Sequence, residues 1–177
     1  DEIAIRHLTE LKHKFPDASI NILANFLLGL DFLRDQKTSS GKITRKKDYF
    51  AAISHFQAAE TLYLKLNADF QIPPDEENYY RSVAQSAMME RALVNRKIAE
   101  QARGAKKRIY FEYTLDVLKT LVEREGTNFS PLMEEGQYRL AETHHLLKNG
   151  SAAEEIALTL LEQYKNRKIT RSTFLSK

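Results

Sequence analysis

Cysteine is absent from this sequence, and its absence excludes disulfide bridges, thiolate zinc sites and cysteine nucleophiles. Glycine and proline are scarce, with six and four copies in 177 residues, whereas a β-sandwich or β-barrel with many tight turns usually needs more of both. There is no run of about 18 to 20 apolar residues, and we therefore expect no membrane-spanning helix. What remains is an ordinary globular composition, 42% hydrophobic and 29% charged, which suits a single domain over residues 1–177.

Charge is unevenly distributed along the chain. The net charge is only +3, yet residues 34–47, 96–108 and 165–177 each carry a net charge of +5. The other residues are therefore acidic on balance. Basic charge is expected in loops and at helix ends, and acidic charge on the faces of the helices.

Apolar residues recur at spacings of three and four in several segments, and this period predicts an all-α fold with about seven helices. The expected ranges are about 2–14, 17 or 19 to 33, 46–66, 76–102, 105–125, 131–148 and 152–166. Residues 35–47 are predicted to be a basic loop and 167–177 a basic tail, and no segment alternates as a half-buried strand does. Asn149-Gly150-Ser151 predicts a tight turn with a positive φ at residue 149 or 150.

Two of the expected helices carry the spacing of a known helical repeat. Leu28-Gly29 is followed by Phe32, and Ala52, Phe56 and Ala59 come at intervals of four and three. In such a repeat the glycine lets paired helices approach closely, the rings fill the space between them, and the alanines allow a tight crossing with the next helix. The basic loop lengthens the connection by about 11 residues relative to the repeat, and Asn25 stands where the repeat often has tryptophan.

A second match needs no insertion. Its positions keep the spacing of the repeat, with His144 in place of the aromatic residue, and are Leu140, Ala141, His144, Ala153, Ala157 and Leu160. Together the matches resemble the tetratricopeptide repeat and cover about two thirds of the chain. The resemblance implies a right-handed α-solenoid of about seven antiparallel helices, in which the first helix of each pair lines a concave groove.

The same resemblance implies a protein–protein interaction scaffold or adaptor, not an enzyme, that binds a peptide or amphipathic helix of a partner within a larger assembly. Carried over by position, the partner-binding residues are Leu23, Phe26, Leu30 and Leu33, then Arg81, Gln85, Met88 and Met89, then Tyr138, Glu142 and His145. Some family members hold a terminal carboxylate with lysine and asparagine. Those residue types are missing at the first-pair positions, so an apolar ligand is favoured.

The second expected helix is apolar on almost every side. Such a helix is either buried between neighbours or lines an apolar groove. Leu23, Phe26 and Leu30 are therefore partner-binding residues in one interpretation, and core residues covered by the N-terminal helix in the other. The sequence leaves both open.

The sequence motifs give little support for a metal site or a catalytic site. The Glu-x-x-His spacings of Glu10 with His13 and of Glu142 with His145 place a carboxylate and an imidazole on one helical face, as di-iron bundles require. Those bundles also need a glutamate on a helix before each motif, and the first motif lies on the first helix seen. Metalloprotease, phosphate-loop and nucleophile-elbow motifs are absent. We predict no metal, no cofactor and no catalytic residue.

An alternative function is the binding of nucleic acid or an anionic surface through the basic clusters. That patch would comprise Lys42, Arg45, Lys46 and Lys47 with Arg103, Lys106, Lys107 and Arg108. Aromatic residues are not interleaved with these cations, as single-strand binding favours, so we rank it below partner binding. The lack of cysteine and of Met at position 1 leaves a cytoplasmic or a bacterial periplasmic location open, and by analogy we expect a bacterial-type assembly.

Overall fold

The computed structural model describes residues 2–37, 41–125 and 130–165, and within these ranges the protein is all-α apart from one short β-hairpin. The helices are α1 (Glu2–Lys14), α2 (Ile20–Phe32), α3 (Tyr49–Ala68), α4 (Glu77–Gln101), α5 (Gly104–Glu125), α6 (Pro131–Leu146) and α7 (Gly150–Lys165). The strands are β1 (Gln36–Lys37) and β2 (Ile43–Arg45). The chain divides into two compact units, Asp1–Val94 and Asn95–Lys177, with the boundary inside α4.

The all-α prediction is confirmed, and each expected helix is present with its ends within a few residues. Local capping explains two of the starts. The Asp48 carboxylate accepts hydrogen bonds from the backbone N–H groups of Phe50 and Ala51 at 2.9 and 3.0 Å, so α3 begins at Tyr49. Ser130 Oγ accepts from the N–H of Met133 at 3.2 Å, and α6 then begins with a proline.

The basic insertion is not wholly a loop, and that prediction was wrong. β1 and β2 pair antiparallel, with Gln36 opposite Arg45 and Lys37 opposite Ile43. Strands of two and three residues are too short to show an alternating pattern, which is why the sequence gives no sign of them. The predicted basic tail, residues 167–177, lies outside the described residues.

The turn between α6 and α7 also differs from the prediction. Lys148, rather than residue 149 or 150, has a positive φ of 63°. The N–H of Lys148 donates to the carbonyl of His145 at 3.0 Å, and the N–H of Asn149 donates to that of His144 at 2.9 Å. This is the pattern that ends helices with a left-handed residue directly after the cap. Helix α6 therefore ends earlier than predicted, and Gly150 begins α7.

In the first unit, the core is built around the antiparallel pair of α2 and α3. Asp17, just before α2, pairs with Lys65 near the end of α3, while Gly29 lies against the ring of Phe56. These two contacts show that α2 and α3 run antiparallel. The ring of Phe56 is fully buried, and Ala52 and Ala59 on the same helix are also 0% exposed. Small residues on both sides thus let this ring fill the interface.

The second unit contains the end of α4 together with α5, α6 and α7, where α6 packs against both α5 and α7. Its most deeply buried side chains include Leu118, Leu121 and Thr143. Arg96 near the end of α4 pairs with Glu142 of α6. None of the helices in the described ranges has the length and hydrophobicity needed to cross a membrane.

Candidate functional site

Helix α2 buries two asparagines and leaves part of its apolar surface exposed. Asn21 and Asn25 are 1% and 4% exposed, whereas Ile20 and Leu27 are 38% and 39% exposed. Apolar residues spaced by three and four lie along one side of a helix. We call the five residues on this outer side the α2 apolar face: Ile20, Leu23, Phe26, Leu27 and Leu30.

Hydrogen bonds of the two buried asparagines fix the rotation of α2. Asn21 Nδ2 donates to the carbonyl of Phe15, which links the start of α2 to the end of α1. Asn25 Nδ2 donates to the carbonyl of Asn21 at 2.9 Å, and its Oδ1 accepts from Nδ1 of His55 on α3 at 3.3 Å. Rotating α2 to bury its leucines would separate these polar groups from Phe15 and His55 and break the hydrogen bonds. Ile20 and Leu27 therefore keep accessible surface, whereas the Phe26 ring still packs against the ring of Phe56 on α3, with centroids 6.0 Å apart.

Burial separates the face from the core of the same helix. Ile22 and Leu28 are 0% and 3% exposed, while Leu23, Phe26 and Leu30 are half-buried. Helix α1 packs against α2, yet the α2 apolar face keeps accessible surface along its length. Ile20 and Leu27 are not among the residues predicted from the sequence, although their spacing from Leu23 would have identified them. Leu33, which was predicted, is the half-buried residue that caps α2.

A stack of side chains holds the β-hairpin against the end of α2. The guanidinium of Arg45 lies 4.1 Å from the ring centroid of Phe32 and pairs with the carboxylate of Asp31. The ring of Phe32 in turn stacks on the ring of His55, with centroids 5.3 Å apart. Burial, with a smaller contribution from the nearby Lys12 ammonium, lowers the pKa of His55 to about 4, so its ring is neutral at pH 7.

The predicted second set of partner-binding residues is largely committed to internal contacts. Met88 and Met89 are each 3% exposed, so they are core residues and offer no surface to a partner. Arg81 donates to the hydroxyl of Tyr63 at 3.3 Å and also pairs with Glu77. Gln85 is half-buried. This placement does not support a role in binding for the two methionines.

The predicted third set lies in the second unit. The Glu142 carboxylate accepts from Arg96 Nη2 at 2.9 Å and from Arg139 Nη1 at 3.2 Å, and the Arg96 hydrogen bond is the main cause of the lowered pKa of Glu142. Tyr138 is half-buried with the Arg139 guanidinium 5.5 Å from its ring centroid, while His145 is exposed. Glu142 therefore joins helices as part of an ion-pair network, and His145 is the accessible member of the set.

The predicted basic patch is divided between the two units. Lys42, Lys46 and Lys47 are exposed on and beside the β-hairpin, but Arg45 is half-buried in the stack described above. In the second unit, the predicted cations are all exposed around the start of α5: Arg103, Lys106, Lys107 and Arg108. Lys107 and Arg108 line a cleft of about 280 Å³ together with Lys148, a residue that the sequence did not single out.

Two larger clefts were also not predicted. One, of about 580 Å³, lies between α1 and the hairpin and is lined by Ile3, Ile5, Arg6, Gln36 and Arg45. The other, of about 450 Å³, lies among α5, α6 and α7 and includes His144, whose Nδ1 is buried without a hydrogen-bond partner and whose pKa is lowered by burial and by Lys119. Both are formed by residues distant in sequence, which no local motif brings together.

Within the described ranges, no group of three or more histidine, aspartate or glutamate side chains could hold a metal ion. Comparison of the chain with protein-family models, with curated proteins and with solved structures gives no match. The contacts and burial of individual residues therefore carry the functional interpretation. The α2 apolar face is one exposed apolar surface, and Leu158, Leu161 and Tyr164 form another on α7.

Proposed function

We propose that this protein is a non-catalytic interaction module that binds an apolar peptide or the apolar side of an amphipathic helix from another protein on the α2 apolar face. One observation carries the proposal: α2 buries two asparagines and leaves Ile20 and Leu27 38% and 39% exposed. Single exposed apolar residues are ordinary, but a contiguous apolar side on one helix is typical of interaction sites.

The accessible surface of the α2 apolar face supplies only part of the free energy of binding. Full burial of a leucine or isoleucine side chain stabilises by about 1.5–3 kcal/mol, so covering the exposed third of such a side chain contributes roughly 0.5–1 kcal/mol. Five side chains of the α2 apolar face together would supply a few kcal/mol. Contacts with neighbouring residues would add to this, and ordering of the peptide would subtract from it. The α2 apolar face alone therefore corresponds to a dissociation constant of about 1 mM at best, and micromolar binding needs about 4 kcal/mol more from the neighbouring contacts.

The chemistry of the site favours an apolar ligand over a terminal carboxylate. Asn21 and Asn25 are the two amide side chains on α2, and both are buried and hydrogen-bonded within the unit. Lys12 on α1 is half-buried, and burial lowers its pKa. These groups are not presented for gripping an anionic chain end, whereas the outward leucines suit an apolar side chain.

The finer architectural proposal is a right-handed α-solenoid resembling tetratricopeptide repeats. The packing of Gly29 against Phe56, with Ala52 and Ala59 fully buried beside that ring, supports it for the pair of α2 and α3. In such a solenoid α2 is the first helix of its pair, and its outer side belongs to the groove. The β-hairpin is then an insertion between the two helices of one repeat.

Leu27→Lys tests the binding surface, with Leu64→Lys on α3 as a control because both leucines are 39% exposed. Peptides are first selected from a displayed library of helical sequences against the wild-type protein, and their affinity is then measured by fluorescence anisotropy. We expect Leu27→Lys to weaken binding at least tenfold, since it places a charge in an apolar contact, while Leu64→Lys leaves it unchanged. Equal affinity for both variants, with both folded by circular dichroism, would rule out this face.

A further inference from the structure

The cleft between the start of α5 and the end of α6 brings together cations that are far apart in the sequence. Lys107 and Arg108 come from α5, and Lys148 comes from the turn after α6. The remaining residues that line it, within the described part of the chain, are Gly104, Phe111, Leu146 and Leu147, so it has no acidic lining residue. Its volume is about 280 Å³, which suits a small group rather than a folded segment.

Neighbouring contacts orient two of these cations. The ammonium of Lys107 lies 5.9 Å from the centroid of the Phe111 ring, and that ring is 3% exposed. Arg108 Nε donates to Glu112 one turn later at 2.8 Å, which orients the guanidinium. Glu112 already balances the charge of Arg108, so Lys107 and Lys148 supply the net positive charge of the cleft.

The backbone of Lys148 is a second, independent observation. Its φ of 63° lies in the left-handed region, which costs an ordinary L-residue about 1 kcal/mol and which glycine or asparagine adopts more easily. The next two residues are Asn149 and Gly150, so the favoured residue types are present one and two positions too late. A strained lysine at this position is explained if its ammonium is needed in the cleft.

We propose that this cleft binds a phosphate group, carried either by a small soluble molecule or by a lipid headgroup. Lysine and arginine side chains form charge-assisted hydrogen bonds to phosphate oxygens, and the cations of the cleft match its charge and its several acceptors. Phe111 is too deeply buried to stack on a nucleic-acid base, and Leu146, 43% exposed, offers an aliphatic edge instead. This site is independent of the α2 apolar face and lies in the other unit.

The test uses the full chain labelled with ¹⁵N and titrated with inorganic phosphate at constant ionic strength. We expect saturable shifts of the amide signals of Gly104, Lys107, Arg108 and Lys148. Lys107→Ala and Lys148→Gly should each weaken binding roughly tenfold, as expected for the loss of one charge-assisted hydrogen bond. Lys148→Gly should fold with an equal or higher Tm because glycine relieves the left-handed strain, so its loss of binding is not a loss of structure.

Two further arms identify the source of the phosphate. One result is co-sedimentation of the protein with vesicles of phosphatidylcholine containing phosphatidic acid but not with vesicles of phosphatidylcholine alone. If Lys107→Ala abolishes that co-sedimentation, the site binds a lipid headgroup. Saturable phosphate binding without vesicle binding assigns it to a soluble ligand.

Lys46→Ala, which removes an exposed cation beside the hairpin, is the control. Three results would overturn the proposal. Lys46→Ala and Lys107→Ala could weaken binding equally, or the protein could bind neither phosphate nor vesicles. A single-stranded oligonucleotide could also bind more tightly than phosphate, with an affinity that Lys148→Gly leaves intact.

Discussion

The ring of Phe56 occupies the space that a side chain at position 29 would need. A Cβ on Gly29 would lie 2.5 Å from Phe56 Cε1, and the ring is 0% exposed, so it cannot swing into solvent. We expect Gly29→Ala to destabilise the first unit by up to about 2 kcal/mol, because overpacking costs roughly 1–3 kcal/mol and the helix-propensity gain offsets only about 1 kcal/mol of it. Urea unfolding followed by circular dichroism measures the change. Gly150→Ala is the control, since nothing lies within 4 Å of its Cβ position; if it is as damaging as Gly29→Ala, the steric explanation fails.

His55 makes the stability of the first unit depend on pH. Burial and Lys12 lower its pKa from 6.5 to about 4, so between these values the unfolded chain binds a proton that the folded chain does not. The stabilisation is therefore complete above pH 6.5 and is lost as the pH falls towards 4. We expect a loss of about 1–2 kcal/mol after allowing for solvent screening of the half-buried ring.

Urea midpoints measured from pH 7 to pH 4 test this dependence, and NMR titration of the His55 ring gives its pKa directly. His55→Gln keeps a hydrogen-bond donor for Asn25 and should flatten the profile in this range. A His55 pKa close to 6.5 in the folded protein would contradict the burial argument.

The ion pair between Glu60 and Arg91 joins α3 to α4 within the first unit. Its N···O distance is 2.6 Å, and the side chains are only 10% and 17% exposed. Glu60→Gln keeps the volume but leaves the guanidinium without its counter-charge, and we expect a loss of about 2–3 kcal/mol in the free energy of unfolding. Asp17→Asn at the exposed pair of Asp17 with Lys65 should change it by less than about 0.5 kcal/mol. Similar losses of unfolding free energy at both ion pairs would show that burial does not determine how much an ion pair stabilises the protein.

Glu142 is expected to act on stability. It accepts hydrogen bonds from Arg96 and Arg139, so Glu142→Gln should lower the free energy of unfolding of the second unit by about 1–2 kcal/mol. Because its pKa is lowered, this contribution is present above its unfolded value of 4.5 and is lost as the pH falls through the folded pKa. Hydrogen exchange of α6 amides in wild type and variant measures the effect. An unchanged exchange pattern combined with lost peptide binding would return Glu142 to a binding role.

The packing of the Phe56 ring against Gly29 could be predicted, because it follows from a fixed spacing of small and aromatic residues. The orientation of α2 could not be predicted, because a helix that is apolar on almost every side does not show which side faces the core. The answer depended on two asparagines finding partners in Phe15 and His55, which lie outside the helix. From the sequence, Leu23 and Leu30 could be groove or core residues, and the structure shows them half-buried.

Features formed by distant residues were inaccessible to local patterns. Arg45 stacks on Phe32, which stacks on His55, and no local pattern brings these three side chains together. Lys107 and Lys148 are 41 positions apart and meet only because α5 and α6 pack together. Met88 was assigned to the groove by carrying positions over from the helical repeat, and the structure buries it.

The outward leucines of α2 have a consequence for the life of the protein in a cell. Without a partner, the molecule displays the kind of apolar surface that chaperones hold and that degradation machinery samples. Its abundance would then follow the supply of its partner, because copies made in excess would be removed. On the function proposed above, the protein would be one half of a stoichiometric pair whose synthesis the cell must balance.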